Sequence, residues 1–388
     1  MDDVVLQELR KFVAPEFIFG PGSRLLAARY VRKLGGRRVL LVSDPGVAAA
    51  GWAGEMESHL AGAGLEVTGF LEVSPNPRDA EVMAGAARFR DSASDLIVAV
   101  GGGSAMDCAK GIGIVAANGG FIVDYRGVDQ VPAPMPPLVC VPTTAGSSAD
   151  VSQFAIINHV AERVKVAIIS KAVVPDVALI DPATLVTLDP YLTACTGLDA
   201  LVHGVEAYVS NAHGPVTDLH ALEAVRLVRE YLLASCGAPR DLDLRARVML
   251  ASLHAGLAFS NASLGCVHAM AHSLGGFLDL PHGECNALLL APVLDFNFGA
   301  APERCRRVAA ALGCDLAGLG DREARARLAE QVRGLVRACG IEPGLGRRGV
   351  RSADLPGLAA RAMDDPCNAT NPRPPGQEDL RTLYAEAM

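Results

Sequence analysis

The stretch Asp95–Lys110, "DLIVAVGGGSAMDCAK", passes from an apolar, β-branched segment through three glycines and a serine into a helical pattern. A strand that turns on glycine into a helix is the building unit of a parallel sheet. Glycine also lets the backbone come close to a pyrophosphate, whose charge is favoured at the N-terminus of the following helix. On its own the run fits a ligand-free βα turn equally well. It is not the GxGxxG fingerprint, and it does not follow the first strand.

Working outward, the same grammar repeats. Strands are predicted at "RRVLLVSD" (Arg37–Asp44), "LEVTGFLEV", Asp95–Gly103, "PLVCVPTTAG" (Pro137–Gly146) and "VALID" (Val177–Asp181), with helix-like segments such as "AEVMAGAARFRDSA" between them. Strands that are apolar throughout and alternate with helices predict a mostly parallel sheet covered on both faces. From about Leu188 the pattern changes to long helices, including "YLTACTGLDALVHGVEAYVS", "TDLHALEAVRLVREYLLAS" and "DLRARVMLASLHAGLAFSNAS". We therefore expect an α/β dinucleotide-binding domain over residues 1–187 and an all-helical domain over 188–388. "DDPCNATNPRPPGQED" is expected to be a surface loop before a last helix.

Composition narrows the function classes. The chain has 388 residues, half of them hydrophobic and a fifth charged, which suits two domains with a large interior. A net charge of -8 argues against a nucleic-acid partner. The N-terminal "MDDVVLQELRKFVAPEF" is not expected to act as a signal peptide, and no apolar run is long enough to span a bilayer. Ten cysteines without a CxxC pair fit reduced thiols, so a cytoplasmic location is expected.

Polar residues collect at three strand ends. Thr143, Thr144, Ser147 and Ser148 follow one apolar strand, the glycine run follows another, and Asp44 closes a third. In an open α/β sheet such strand ends face the ligand. A carboxylate at Asp44 can accept from ribose hydroxyls and would repel an additional phosphate, which favours NAD over NADP. Asp before Pro is equally a good helix start.

The helical half carries a different chemistry. Asp199 and His203 are four apart in a helical pattern, as are His268 and His272, and His282 follows behind Pro281 on an expected turn. Any one of these histidines, taken alone, is more often a hydrogen-bonded core residue than a ligand. Together they form the carboxylate and imidazole set that Fe(II) or Zn(II) accepts, from helices that can face one another.

"GGGSAMDCAK", "PTTAGSSAD", "GLDALVHGVEAYVS" and "GCVHAMAHSLGGFLDLPHGECNALLL" together resemble the iron-containing (group III) alcohol dehydrogenase family, and the likeness extends from "FIFGPGS" to "NPRP". The resemblance implies the dehydroquinate synthase-like architecture, with an active site in the cleft between the two domains. It implies metal ligation by Asp199, His203, His268 and His282, with His272 beside the nicotinamide and the substrate. It further implies cofactor contacts from Asp44, Asn76, Gly102, Gly103, Ser104, Ala105, Met106, Asp107, Thr143, Thr144, Ser147, Lys165 and Leu185. Ser147 stands where several relatives have Thr, and the hydroxyl is kept.

The implied activity is metal-dependent, NAD-linked hydride transfer between a small alcohol or diol and its aldehyde or ketone, in a homo-oligomer. Phe154, Leu264 and Phe277 are candidates to shape the substrate pocket. The rivals are a glycerol dehydrogenase-like or other reductase of the same fold and a non-catalytic regulatory relative. A metal-dependent hydrolase explains the histidines but not the strand-end loops.

Overall fold

A computed structural model describes residues 11–162 and 164–388, so the first ten residues of the N-terminal stretch lie outside the described residues. The chain packs as two compact units, one of residues 13–188 with 239–249 and the other of residues 11–12, 189–238 and 250–388.

Among the described residues the first unit holds nine strands: β1 Glu16–Phe19, β2 Arg38–Val42, β3 Glu66–Phe70, β4 Leu96–Gly101, β5 Gly127–Val128, β6 Leu138–Pro142, β7 Phe154–His159, β8 Val164–Ile169 and β9 Val177–Ile180. Its helices are α1 Ala27–Lys33, α2 Pro45–Ala49, α3 Trp52–Gly62, α4 Asp79–Asp91 and α5 Gly103–Asn118. Six strands form one sheet in the order β1-β9-β6-β4-β2-β3, every pairing parallel.

Alternation along the strands explains why both faces are covered. Leu40, Ile97, Ala99, Leu138 and Cys140 pack into one core with Ile112 and Met106 of α5. Their neighbours Val39, Leu41, Val98, Val100 and Val139 pack into a second core with α1 and α3. Side chains that alternate between two dry faces give the apolar runs seen in the sequence.

All five expected strands are present, and the structure adds four. β1 joins the sheet at its edge, in register Glu16↔Val177 to Phe19↔Ile180. Asp181, fully buried, fixes that edge by accepting from Gly22 N at 2.9 Å and Arg24 Nη1 at 2.6 Å. β7 and β8 form an antiparallel hairpin, with β5 alongside β8 in a separate three-stranded sheet.

The helical unit contains α6 Pro190–Val209, α7 Pro215–Gly237, the second half of α8 Leu242–Ala262, α9 Cys266–Leu278, α10 His282–Phe298, α11 Pro302–Ala311, α12 Asp321–Ala338, α13 Leu355–Met363 and α14 Gln377–Glu386. Asp189 caps α6 by accepting from Leu192 N, with Pro190 at the first helical position, where its missing N–H costs nothing. No single helix among the described residues is long and apolar enough to cross a membrane.

Two expectations are corrected here. His282 opens helix α10 instead of lying on a turn. The stretch after Asp364 is not a surface loop: Pro366–Thr370 form a 3-10 helix, and Cys367 and Asn371 are buried. Asn371 Oδ1 accepts from Cys266 N at 3.1 Å, and Thr370 Oγ1 donates to Leu264 O at 2.6 Å, so the segment anchors the start of α9.

A candidate metal centre and the nucleotide-facing loops

In the α/β unit the loops after β4 and β6 lie against each other. Thr143 N donates to Gly101 O at 2.8 Å. A Cβ on Gly102 would come within 3.0 Å of Thr144 Cγ2, and one on Gly103 within 2.6 Å of Ser147 Oγ. A side chain at Gly103 would displace Ser147 and one at Gly102 would crowd Thr144, so packing alone favours glycine at both positions whatever binds there. Asn76, left-handed at φ 57°, donates its N–H to Ser104 Oγ at 3.2 Å and accepts from Lys165 Nζ at 2.6 Å. Gly102–Ser104, Thr143, Thr144, Ser147, Asn76 and Lys165 are thus linked by direct contacts.

The side chains of Ala105, Met106 and Leu185 are buried in the core, while Asp107 is half-buried on α5. Asp44 does cap α2, its Oδ1 accepting from Val47 N at 3.0 Å. Its Oδ2 faces the glycine turn, 3.3 Å from where a Cβ on Gly101 would stand. Lys110, the last residue of the opening stretch, has an unforeseen role. Fully buried, its Nζ donates to Ser152 O at 2.9 Å and Phe154 O at 2.7 Å, tying α5 to the chain just beyond the Thr143–Ser148 loop. Burial holds its pKa below the usual lysine range.

In the helical unit, α6, α9 and α10 bring three donor atoms together. Asp199 Oδ1 lies 3.9 Å from His268 Nε2 and 4.0 Å from His282 Nε2. One ion reaches both members of such a pair, because its bonds to these ligands are about 2.1 Å. The group is Asp199, His268 and His282, and His203 is not among the converging donors. Its ring stacks between His268, 4.6 Å away, and Phe259, 4.2 Å away. Of the pocket candidates in this unit, Leu264 is buried and Phe277 is 41% exposed.

Several partners of this cluster carry no sequence signal of their own. Asn286, one turn after His282, points its Nδ2 at Asp199 Oδ1 (2.6 Å), His268 Nε2 (3.0 Å) and His282 Nε2 (3.2 Å). An amide has two protons for these three acceptors. Its own Oδ1 is buried with no hydrogen-bond partner among the described residues. Three lone pairs that share one weak donor are the environment a cation satisfies, so the donor set fits a divalent metal.

Glu206 is buried behind His268, its Oε2 2.5 Å from Nδ1 and its Oε1 accepting from Val267 N at 2.7 Å. Burial pushes this carboxyl up to about 7 against its N–H donors, and pushes His268 down to about 3 against the pull of Asp199. With Glu206 ionised the proton between them sits on Nδ1, leaving the Nε2 lone pair toward Asp199. This is the arrangement that orients metal-binding histidines.

His272 stands beside the cluster, its ring stacked on His282 at 5.2 Å. Gly283 fits because a Cβ there would lie 2.0 Å from Cys195 O, so α10 starts directly on the backbone of α6. Glu284 clamps the same turn, accepting from Arg348 Nε at 2.8 Å and Tyr191 Oη at 2.5 Å.

Strand-end loops of this kind suit a nucleotide, and the carboxylate and imidazoles gathered in the helical unit suit a divalent metal, the two groups a metal-using dehydrogenase needs. Comparison with known proteins carries this further. Residues 14–182 match "Iron-containing alcohol dehydrogenase", and residues 193–388 match "Fe-containing alcohol dehydrogenase family, C-terminal". Alcohol dehydrogenase 4 of Schizosaccharomyces pombe is 41% identical over 97% of this chain and 89% of its own length. A 1,3-propanediol dehydrogenase of Klebsiella pneumoniae is 39% identical over 95% of this chain and 96% of its own. The crystal structure of a 1,3-propanediol oxidoreductase superposes with a TM-score of 0.94 at 38% identity, covering 98% of this chain and all of that one. The chain belongs to the iron-containing alcohol dehydrogenase family. It is an oxidoreductase of the alcohol dehydrogenase type.

Proposed function

We propose that this enzyme is an NAD-linked dehydrogenase of short primary alcohols or diols, working with one divalent metal, Fe(II) in the first place and Zn(II) as an ion the same donors accept. The observation that carries the reading is the convergence of Asp199 Oδ1, His268 Nε2 and His282 Nε2 on a single amide donor. When bound, the ion supplies Lewis acidity toward an alcohol oxygen and NAD supplies the hydride acceptor.

The protein's own part divides between binding and proton handling. Asp199, His268 and His282 hold the ion, and His203, one turn along α6 from Asp199 and stacked on His268, would turn toward the ion to serve as the fourth ligand. Glu206 keeps His268 in the ligating tautomer. His272 accepts the hydroxyl proton at Nε2 and passes it to solvent. Gly102 through Asp107 cradle the pyrophosphate at the start of α5, and Thr143, Thr144, Ser147, Asn76, Lys165 and the backbone at Leu185 line the rest of the cofactor. Asp44 disfavours the additional phosphate of NADP.

Eight of the ten free cysteines are buried thiols, which suits a reducing compartment and supports cytoplasmic residence. The test of function is a panel of short alcohols and diols followed at the reduced-nicotinamide absorbance band, with metal-stripped enzyme reloaded with Fe(II) or Zn(II). Turnover should require NAD and metal together. Turnover in fully stripped protein would end the reading.

A further inference from the structure

His272 Nδ1 lies 2.7 Å from Asp365 Oδ2, and neither side chain is more than 7% exposed. The carboxylate is held independently of the histidine. Asp365 caps the 3-10 helix Pro366–Thr370, its Oδ1 accepting from Cys367 N at 2.9 Å. That helix is bolted at its far end, where Thr370 and Asn371 bind the backbone of Leu264 and Cys266. Asn368 Nδ2 adds a bond to Ala362 O at 2.6 Å. The carboxylate is therefore held by contacts beyond the one to His272.

An ionised carboxylate only accepts hydrogen bonds, so the proton between the two groups belongs to Nδ1. Burial opposes ionisation of Asp365, yet His272 and the Cys367 N–H together hold its pKa below the usual carboxylate range. Asp365 and Cys367 also lie with His272 in a second group of close potential metal donors. Both carboxylate oxygens already take N–H bonds, and burial keeps the Cys367 thiol protonated. The geometry is that of a carboxylate held against one imidazole nitrogen.

We propose that Asp365 is the positioning residue that fixes the tautomer of His272, keeping its proton on Nδ1 so that Nε2 retains the lone pair used for proton transfer. This rests on the assignment of His272 as the proton-handling group. Sequence spacing could not show it, because the two residues are 93 apart.

Asp365→Asn is the informative change. The amide is close in shape but can offer an N–H to Nδ1, which moves the imidazole proton to Nε2. The experiment uses Zn(II)-loaded protein with ¹⁵N-labelled histidine, His272 being assigned by difference from His272→Ala. In the parent, the His272 nitrogens should show the Nδ1–H tautomer. An Nε2–H tautomer there overturns the proposal without any variant.

In Asp365→Asn the tautomer should invert and metal content should stay at about one ion per chain. KM for NAD should stay within about twofold of the parent, while kcat falls by up to roughly 10⁴-fold, as for the corresponding change in a serine protease triad. In a His272→Ala background the same change should cost less than about threefold, since the group it positions is gone. Parent-like kcat in Asp365→Asn, loss of metal, or full additivity with His272→Ala would each overturn the assignment. If the parent turns over no alcohol at all, the functional proposal fails instead, and the nitrogen spectra still decide the tautomer.

Discussion

Replacing Gly283 by alanine adds one methyl group where α10 begins on α6. The new Cβ would stand 2.0 Å from Cys195 O, 2.7 Å from Cys195 C and 3.1 Å from Asp199 Cβ. Ordinary carbon contact starts near 3.4 Å, so the two helices must part by about 1.4 Å. Neither Cys195 atom is a flexible side-chain end that could swing aside. Overpacking of this kind costs about 3 kcal/mol or more.

The shift also changes the chemistry, because His282 and Asp199 sit on the two helices being separated. Their donor atoms are 4.0 Å apart, and an ion with bonds of about 2.1 Å cannot bridge much more than about 4.2 Å. Gly283→Ala should thus lose metal and stability together. Urea unfolding of metal-stripped protein gives the first quantity, and elemental analysis of reloaded protein the second. Gly334→Ala is the control: nothing lies within 4 Å of its Cβ position in α12, and helix propensity should make it neutral or stabilising by up to about 1 kcal/mol. A Gly283→Ala protein within about 0.5 kcal/mol of the parent and carrying a full metal equivalent would refute the packing argument.

His268→Ala should lower metal content and abolish turnover, whereas His272→Ala should keep the metal and slow turnover; elemental analysis and rates on the same preparations decide, and the opposite pattern reverses the two roles. Asp44→Gly should narrow the preference for NAD over NADP by about tenfold or more, since a carboxylate near the additional phosphate is removed. Equal use of both cofactors by the parent would leave Asp44 as a helix cap only. Asp150, buried, is pushed up to about 6 by desolvation, so it binds a proton more tightly folded than unfolded. Its contribution to stability falls as pH rises from about 4 to about 6 and costs about 3 kcal/mol above that. Asp150→Asn should gain on the parent across this window, and a difference in unfolding free energy that does not change between pH 4 and 7 would count against it.

The inner strands of the sheet were legible because both their faces are dry, which writes an unbroken apolar run. β1 was not, since an edge strand needs no such run: Glu16 and Phe17 are exposed. The β7–β8 hairpin escaped because its strands follow the Thr- and Ser-rich loop without the helix that punctuates the others. In the site, Asp199 with His203 and His268 with His272 announced themselves as shared helix faces, each pair being four residues apart. Their partners did not. Glu206 reaches His268 from 62 positions away, and Asp365 sits in a run of Asp, Asn and Pro whose composition suggests solvent exposure. A carboxylate on the buried face of α6, one turn from His203, was the one overlooked hint.

The pairing of β1 with β9 has a consequence during synthesis. The contact that closes this edge, from Gly22 to Asp181, spans 159 residues. At ribosomal rates of about 5–20 residues per second, β1 waits roughly 8–30 s for β9, the strand it pairs with among the described residues. During that interval the nascent chain displays an unpaired strand bearing Phe17 and Phe19, while the strands that will form the middle of the sheet are already emerging. Slowing elongation between β1 and β9 lengthens that exposure, so codon usage over this stretch bears on how much of the product reaches the folded state.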